Sequence, residues 1–197
     1  MKHTLLIITA LLFITSTVIP QSKANINNLV EYGGKMFKQD DDKPYTGSVF
    51  DLYKSTGEKK LEGGYRNGLK NGKWKYWFDN GKKESEGTYK GGELDGKWTY
   101  WYENGQKGGE GTYKDGEKDG KWTYWYENGQ KEKETTYKNG YPDGLWTYWY
   151  ENGQKEEEGT YKDGELNGLW TDWYENGQKG AEVTWKDGKQ IGKIKRF

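Results

Sequence analysis

Five glutamates recur 24 residues apart, at Glu86, Glu110, Glu134, Glu158 and Glu182. A carboxylate pair that cleaves glycosidic bonds needs two acids in unlike environments, one of them kept protonated. Here every acid sits in the same local sequence, so none is set apart as acid, base or nucleophile. The expectation is a solvated row and no catalytic residue. The runs Asp40-Asp41-Asp42 and Glu156-Glu157-Glu158 offer weak Ca²⁺ ligands. Neither has the alternating Asp/Asn and Gly spacing of a calcium loop, so no metal site and no cofactor are expected. The chain has no Cys, and its one His is His3.

A sharper periodic feature is the tryptophan row Trp77, Trp101, Trp125, Trp149 and Trp173. Two strands per repeat would space these indoles by about 9.6 Å. That step is comparable to the disaccharide repeat of a β-linked glycan. Exposed indoles at such a spacing would be stacking platforms for sugars or for a partner's side chains. The alternative is that they pack on Thr and Lys stems or on a second layer of the fold.

What must position them is a hairpin array. Gly72, Gly96, Gly120, Gly144 and Gly168 each open a 24-residue unit. Residues Gly96 to Lys107 recur almost unchanged from Gly120 to Lys131, and again, with Leu145 for a lysine, from Gly144 to Lys155. Fixed periods of this kind mark repeat architectures. Asn-Gly stands between alternating aromatic runs at Asn80-Gly81, Asn104-Gly105, Asn128-Gly129, Asn152-Gly153 and Asn176-Gly177. This predicts a two-residue hairpin turn with φ > 0 at both positions. Glu103 would then face Gln106, Tyr102 would face Lys107, and Trp98 would face Gly111. A second turn is expected within Lys114 to Gly120.

Alternation puts Trp98, Tyr100 and Tyr102 on one face with Gly109, Gly111 and Tyr113. That face is the expected core, with Gly87, Gly111 and Gly159 leaving room for the indole opposite. Thr99, Trp101, Glu103, Glu110 and Thr112 share the more polar face. The fold class expected is all-β: an elongated antiparallel sheet of tandem 24-residue hairpins, each stabilised by its neighbours. The expected organisation is a leader over 1–24, an entry segment over 25–46, a diverged first repeat over 47–71, five repeats over 72–191 and a truncated end over 192–197. The diverged ends would act as caps.

The leader reads as an address. Met1-Lys2-His3 is a short positive start, Thr4 to Pro20 is almost wholly apolar or hydroxylic, and Ser22-Lys23-Ala24 offers a small-residue cleavage site. This is the pattern of a secretory signal peptide, with cleavage expected after Ala24. The 197-residue chain balances 31 basic against 31 acidic residues. Residues 1–24 hold Lys2, Lys23 and no acid, so their removal leaves 29 basic residues against 31 acidic. That near-neutral balance argues against nucleic acid and against a polybasic membrane patch. With 30 Gly, 11 Trp and 17 Tyr, the apolar area resides in aromatic rings.

The unit Gly96-Lys97-Trp98 through Trp101-Tyr102-Glu103-Asn104-Gly105-Gln106-Lys107, followed by Gly111-Thr112-Tyr113-Lys114-Asp115-Gly116, resembles the bacterial variant of the MORN repeat. The segment Leu29-Val30-Glu31-Tyr32 through Lys43-Pro44-Tyr45-Thr46-Gly47 resembles the entry region of YwqK-family proteins, often labelled antitoxins of toxin–antitoxin systems. Together the resemblance covers roughly residues 29–192. It implies a repeat sheet with no catalytic residues to carry over. Eukaryotic MORN proteins, similar in period, are linked to membranes and scaffolding.

The functional expectation is an exported, non-catalytic protein, acting at the periplasm, cell surface or outside. It would bind or scaffold a protein or cell-envelope polymer, a glycan among the possibilities, along one face. No nucleic acid and no stable membrane anchoring after cleavage are expected. The alternative, implied by the resemblance, is an antitoxin-like protein that neutralises a partner toxin.

Overall fold

The structure is a computed structural model that describes residues 23–197. The expected signal peptide over 1–24 therefore lies outside the described residues, except for Lys23 and Ala24. The expected sheet is present. One 16-stranded sheet follows chain order as a meander, its strands pairing antiparallel throughout the repeats. Among the described residues the only helical element is the short 3₁₀ turn Ile26–Asn28.

Each unit contributes two long strands, as in Glu93–Trp101 with Lys107–Lys114, then Glu117–Trp125 with Lys131–Lys138. The entry segment forms a separate two-stranded hairpin, Leu29–Tyr32 with Lys35–Lys38. It docks on the first repeat through Met36 N–H donating to the Gly68 carbonyl at 2.9 Å. Leu29, Tyr45, Val49, Tyr65 and Trp74 are buried together there, closing the first end of the sheet.

The Asn-Gly turns differ from the two-residue turn expected of them. At the Asn-Gly turns only the glycine has positive φ, +89° at Gly105 and +86° at Gly129. Gly105 N–H donates to the Tyr102 carbonyl at 2.8 Å, and Tyr102 N–H to the Gln106 carbonyl at 2.9 Å. This is a three-residue loop, a type I turn closed by a left-handed glycine bulge. Its asparagine stays in ordinary backbone because its side chain has two other partners. Asn104 Oδ1 accepts from Gln106 N–H at 2.8 Å, and Asn104 Nδ2 donates to the Glu127 carbonyl of the next unit at 3.0 Å.

The tight two-residue turns are the other set. Asp115-Gly116 has φ of 48° and 84°, and Lys114 pairs with Glu117 across it. Asn139, Asp163 and Asp187 adopt the same conformation, with Gly91 taking their place in an earlier unit. Asn, Asp and Gly are the residues that tolerate the left-handed region at least cost.

The longer loop changes the register beside it. Lys107 pairs with Trp101, not with Tyr102, and a bulge at Gly108 absorbs the offset. Beyond the bulge Trp98 pairs with Gly111, as expected.

The core is a row of indoles: Trp74, Trp98, Trp122, Trp146 and Trp170 are 0–9% exposed. What they pack on differs from expectation in one respect. The glycine gap serves the indole of the following unit, not that of its own hairpin. A Cβ built at Gly111 would lie 2.1 Å from Cδ2 of Trp122, and one at Gly87 would lie 2.1 Å from Cδ2 of Trp98. Each indole therefore lies flat on the backbone of the preceding unit. Its Nε1–H donates into that unit as well, Trp98 to the Thr88 carbonyl and Trp122 to the Thr112 carbonyl, both at 3.0 Å. Tyrosines close the row edge-on, with Tyr89–Trp98 centroids 5.2 Å apart and Tyr113–Trp122 4.9 Å apart. At about 150–250 Å² per ring and about 25 cal/mol per Å², each buried indole is worth roughly 4–6 kcal/mol. The fold is thus an inter-repeat stack, held unit on unit.

Two units depart from glycine at the gap. Val183 sits at the last one, where the following residue is Ile194 instead of an indole. Thr135 sits under Trp146, which is the most exposed of the five at 9%. The Trp146–Tyr148 rings are tilted by 49°, against 25° for Trp122–Tyr124. The Thr135 hydroxyl is buried without a hydrogen-bond partner.

Candidate functional site

The tryptophan row expected to bind lies on the face opposite the core indoles. Trp77, Trp101, Trp125, Trp149 and Trp173 end their strands just before the three-residue loops. Alternation alone sets this, since three residues separate Trp98 from Trp101. All five are half-buried. Four of the five are held at their carbonyls by a tyrosine of the preceding unit: Tyr53 Oη donates to Trp77 at 2.7 Å, Tyr102 to Trp125 at 2.7 Å, Tyr126 to Trp149 at 2.7 Å, and Tyr150 to Trp173 at 2.8 Å, while Phe78 takes the tyrosine's place before Trp101.

Lysines not singled out in the sequence cover these rings. Lys59, Lys83, Lys107, Lys131 and Lys155 place their ammonium groups 5.6, 5.3, 5.2, 5.5 and 5.4 Å from the Trp77, Trp101, Trp125, Trp149 and Trp173 ring centroids. Each of these lysines comes from the unit before its ring. The face is therefore a ladder in which indoles and ammonium groups alternate. The legible signal was the Lys two places after the loop glycine of every unit, as in Gly57-Glu58-Lys59 and Gly105-Gln106-Lys107, which ordinary strand pairing puts beside the next indole.

The repeating glutamates complete the ladder. Lys83–Glu86, Lys107–Glu110, Lys131–Glu134, Lys155–Glu158 and Lys179–Glu182 are ion pairs of 3.0, 2.9, 2.7, 2.6 and 2.6 Å. The Lys107 hydrogen bond holds the Glu110 carboxyl below its ordinary range, against the opposing effect of burial, with Lys97 assisting. Lys97 and Lys121 add a second ion pair to Glu110 and Glu134, each within 3.0 Å. Leu145 and Leu169 replace that second lysine in the later units and are 53% exposed. Glu158, beside Leu145, is thus left with one lysine, while Glu182, beside Leu169, has Lys195 as its second partner at 3.9 Å. Among the described residues no three His, Cys, Asp or Glu side chains converge in a way that could hold a metal ion.

The chain therefore belongs to the class of tandem hairpin-repeat proteins, in which each unit is completed by its neighbour. More particularly, the family model for the MORN repeat variant matches residues 70–90, 94–115, 118–139, 142–163 and 166–187, more than half of the chain, and the protein belongs to that family. Comparison with curated proteins finds no match.

Proposed function

We propose that this is an exported, non-catalytic repeat protein that binds or scaffolds a protein or cell-envelope polymer along one face of its sheet. The observation that carries the reading is the ladder itself. The same half-buried indole, lysine and glutamate recur in register through five units, so the surface presents a repeating contact to a repeating or extended partner. Catalysis would need one unit to differ from the rest, and each glutamate of the row meets its lysine in the same way. The leader sequence supports export, and the near-neutral charge supports a partner other than nucleic acid.

The test is affinity capture from cell-envelope extracts with the wild-type chain and with a Trp101→Ala, Trp125→Ala, Trp149→Ala triple variant. A partner retained by the first and lost by the second supports the reading. A partner retained equally by both counts against it. The resemblance of the entry segment to YwqK-family proteins favours a second reading, an antitoxin-like neutralising protein. Capture of a secreted toxin in place of a structural protein or polymer would select it.

A further inference from the structure

The third repeat differs from the others at one place on the aromatic face. The position taken by Leu61, Ser85, Lys133, Glu157 and Ala181 in the other units is Gly109, and Gly108 precedes it. A Cβ at Gly108 would stand 3.1 Å from the Tyr102 ring, and one at Gly109 would stand 3.3 Å from Tyr124. A side chain at either place would run into the neighbouring aromatic wall. With none there, a cleft of about 460 Å³ opens between Tyr100, Tyr102, Tyr113, Trp122 and Tyr124. That volume falls in the range of small-ligand sites, about 300–1,000 Å³.

The cleft has one charged lining residue, Lys118, and no carboxylate. The Lys118 ammonium lies 4.6 Å from the Trp122 centroid and 5.1 Å from that of Tyr137, and it donates to Tyr124 Oη at 2.5 Å. It makes no ion pair among the described residues, whereas the lysines of the opposite face are paired with glutamates. The equivalent positions in neighbouring units are Leu94, Pro142 and Leu166. Lys70 in the first unit is caged in the same way by Trp74, Tyr76 and Tyr89, but Leu61 stands across from Tyr76 where Gly109 stands across from Tyr124. Only the third unit joins an unpaired lysine to an open aromatic cleft.

We propose that this cleft is a binding site for one carboxylate-bearing sugar residue, a hexuronic acid unit of a glycan. Aromatic rings accept the C–H face of a pyranose through dispersion and area burial. The phenol hydroxyls supply hydrogen-bond partners for ring hydroxyls: Tyr100 and Tyr113 already meet at 3.3 Å, and burial keeps the Tyr100 and Tyr124 phenols protonated. The ligand carboxylate supplies the charge that Lys118 lacks, and such ammonium–carboxylate hydrogen bonds are the stronger kind. Burial, and after it the charge of Lys133, works against the Lys118 ammonium, and an incoming carboxylate offsets both. Glu132 acts on the same tyrosines and forms no ion pair with Lys118, so it tunes the rim without filling the site. The site opens on the face opposite the ladder rings, and Trp101 is the one ladder residue in its lining.

The test is calorimetric titration of the chain, as recovered from expressing cells, with a galacturonic acid tetrasaccharide, its neutral galactose counterpart and acetate. The uronate should bind at least tenfold more tightly than either of the others. Lys118→Leu, which copies Leu94 and Leu166, should cut uronate binding at least tenfold. Gly108→Glu with Gly109→Lys, which copies Glu132-Lys133 of the next repeat, should abolish it. Both variants use residues that a neighbouring unit already carries, and unchanged circular dichroism verifies their fold. Trp125→Ala should leave uronate binding unaltered. Equal affinity for the neutral sugar or acetate, wild-type binding by the filled variant, or no uronate binding at millimolar concentration would each overturn the proposal.

Discussion

Substituting Gly111 by alanine tests whether each indole is seated on the backbone of the unit before it. The added methyl would sit 2.1 Å from Cδ2 and 2.3 Å from Cε2 of Trp122, both ring atoms of a side chain that is 1% exposed. The ring cannot yield as a flexible chain end would. Forcing extra volume into such a contact costs about 1–3 kcal/mol. If the ring lifts, the Trp122 Nε1 bond to the Thr112 carbonyl goes with it, at about 0.5–1.5 kcal/mol. Alanine returns about 0.5–1 kcal/mol through its smaller loss of backbone freedom in a strand. The expected net is a destabilisation of about 1–3 kcal/mol. The decisive comparison is with the same change in a Trp122→Ala background, where no ring meets the methyl. There Gly111→Ala should be neutral or stabilising, so the sign of the effect depends on Trp122. Repeat arrays can unfold in parts, so hydrogen exchange at strands Lys107–Lys114 and Glu117–Trp125 is the suitable assay. A Gly111→Ala chain as protected as wild type, or one equally destabilised in both backgrounds, would refute the reasoning.

Trp122→Ala alone should cost about 3–5 kcal/mol, and Trp125→Ala clearly less, by the same exchange measurement. Thr135→Val, copying Val183, removes a buried hydroxyl with no partner and should stabilise by about 1–3 kcal/mol; an unchanged or lowered melting temperature would contradict it. Asp115→Val should cost about 1–3 kcal/mol because φ there is 48°, while Asp115→Gly, copying Gly91, should be tolerated. Glu157 faces Asp172 across the strand pair, and its carboxyl is raised by burial first and then by the Asp172 and Glu156 charges. A raised folded-state pKa means stability that is complete below the ordinary carboxylate range and lost as pH rises through the folded value. Glu157→Gln should therefore stabilise the chain at pH 7, with the gain vanishing near pH 3 in melts taken across that range.

Periodicity made the sheet legible in the sequence, because identical 24-residue units can only repeat one local structure. Alternation likewise separated Trp98 from Trp101 and Trp122 from Trp125 without any structure. The turns were misassigned for a physical reason. Asn-Gly and Asp-Gly both read as two-residue turns, and what accompanies the longer loop in every unit is a local bond, the Asn Oδ1 accepting from the N–H two residues on. The Asn104 amide also reaches the Glu127 carbonyl one unit on, a contact the last loop at Asn176 lacks. Blindness to the neighbouring unit assigned Gly111 to Trp98, its strand partner, when the ring above it is Trp122. Lys stems beside the indoles were among the expectations, but not that each would come from the preceding unit, as Lys107 covers Trp125 and not Trp101. The cleft was missed because Gly108-Gly109 reads as a weak strand until the side chains at the equivalent positions are set beside it.

The binding role of the ladder is tested most directly by the affinity of the captured partner for two variants matched in stability. One is the Trp101, Trp125 and Trp149 triple alanine variant. The other is a core variant, such as Gly111→Ala, that costs comparable stability without touching the ladder. The account predicts at least a tenfold loss of affinity for the ladder variant and wild-type affinity for the core variant. Equal affinity for wild type and ladder variant would contradict it.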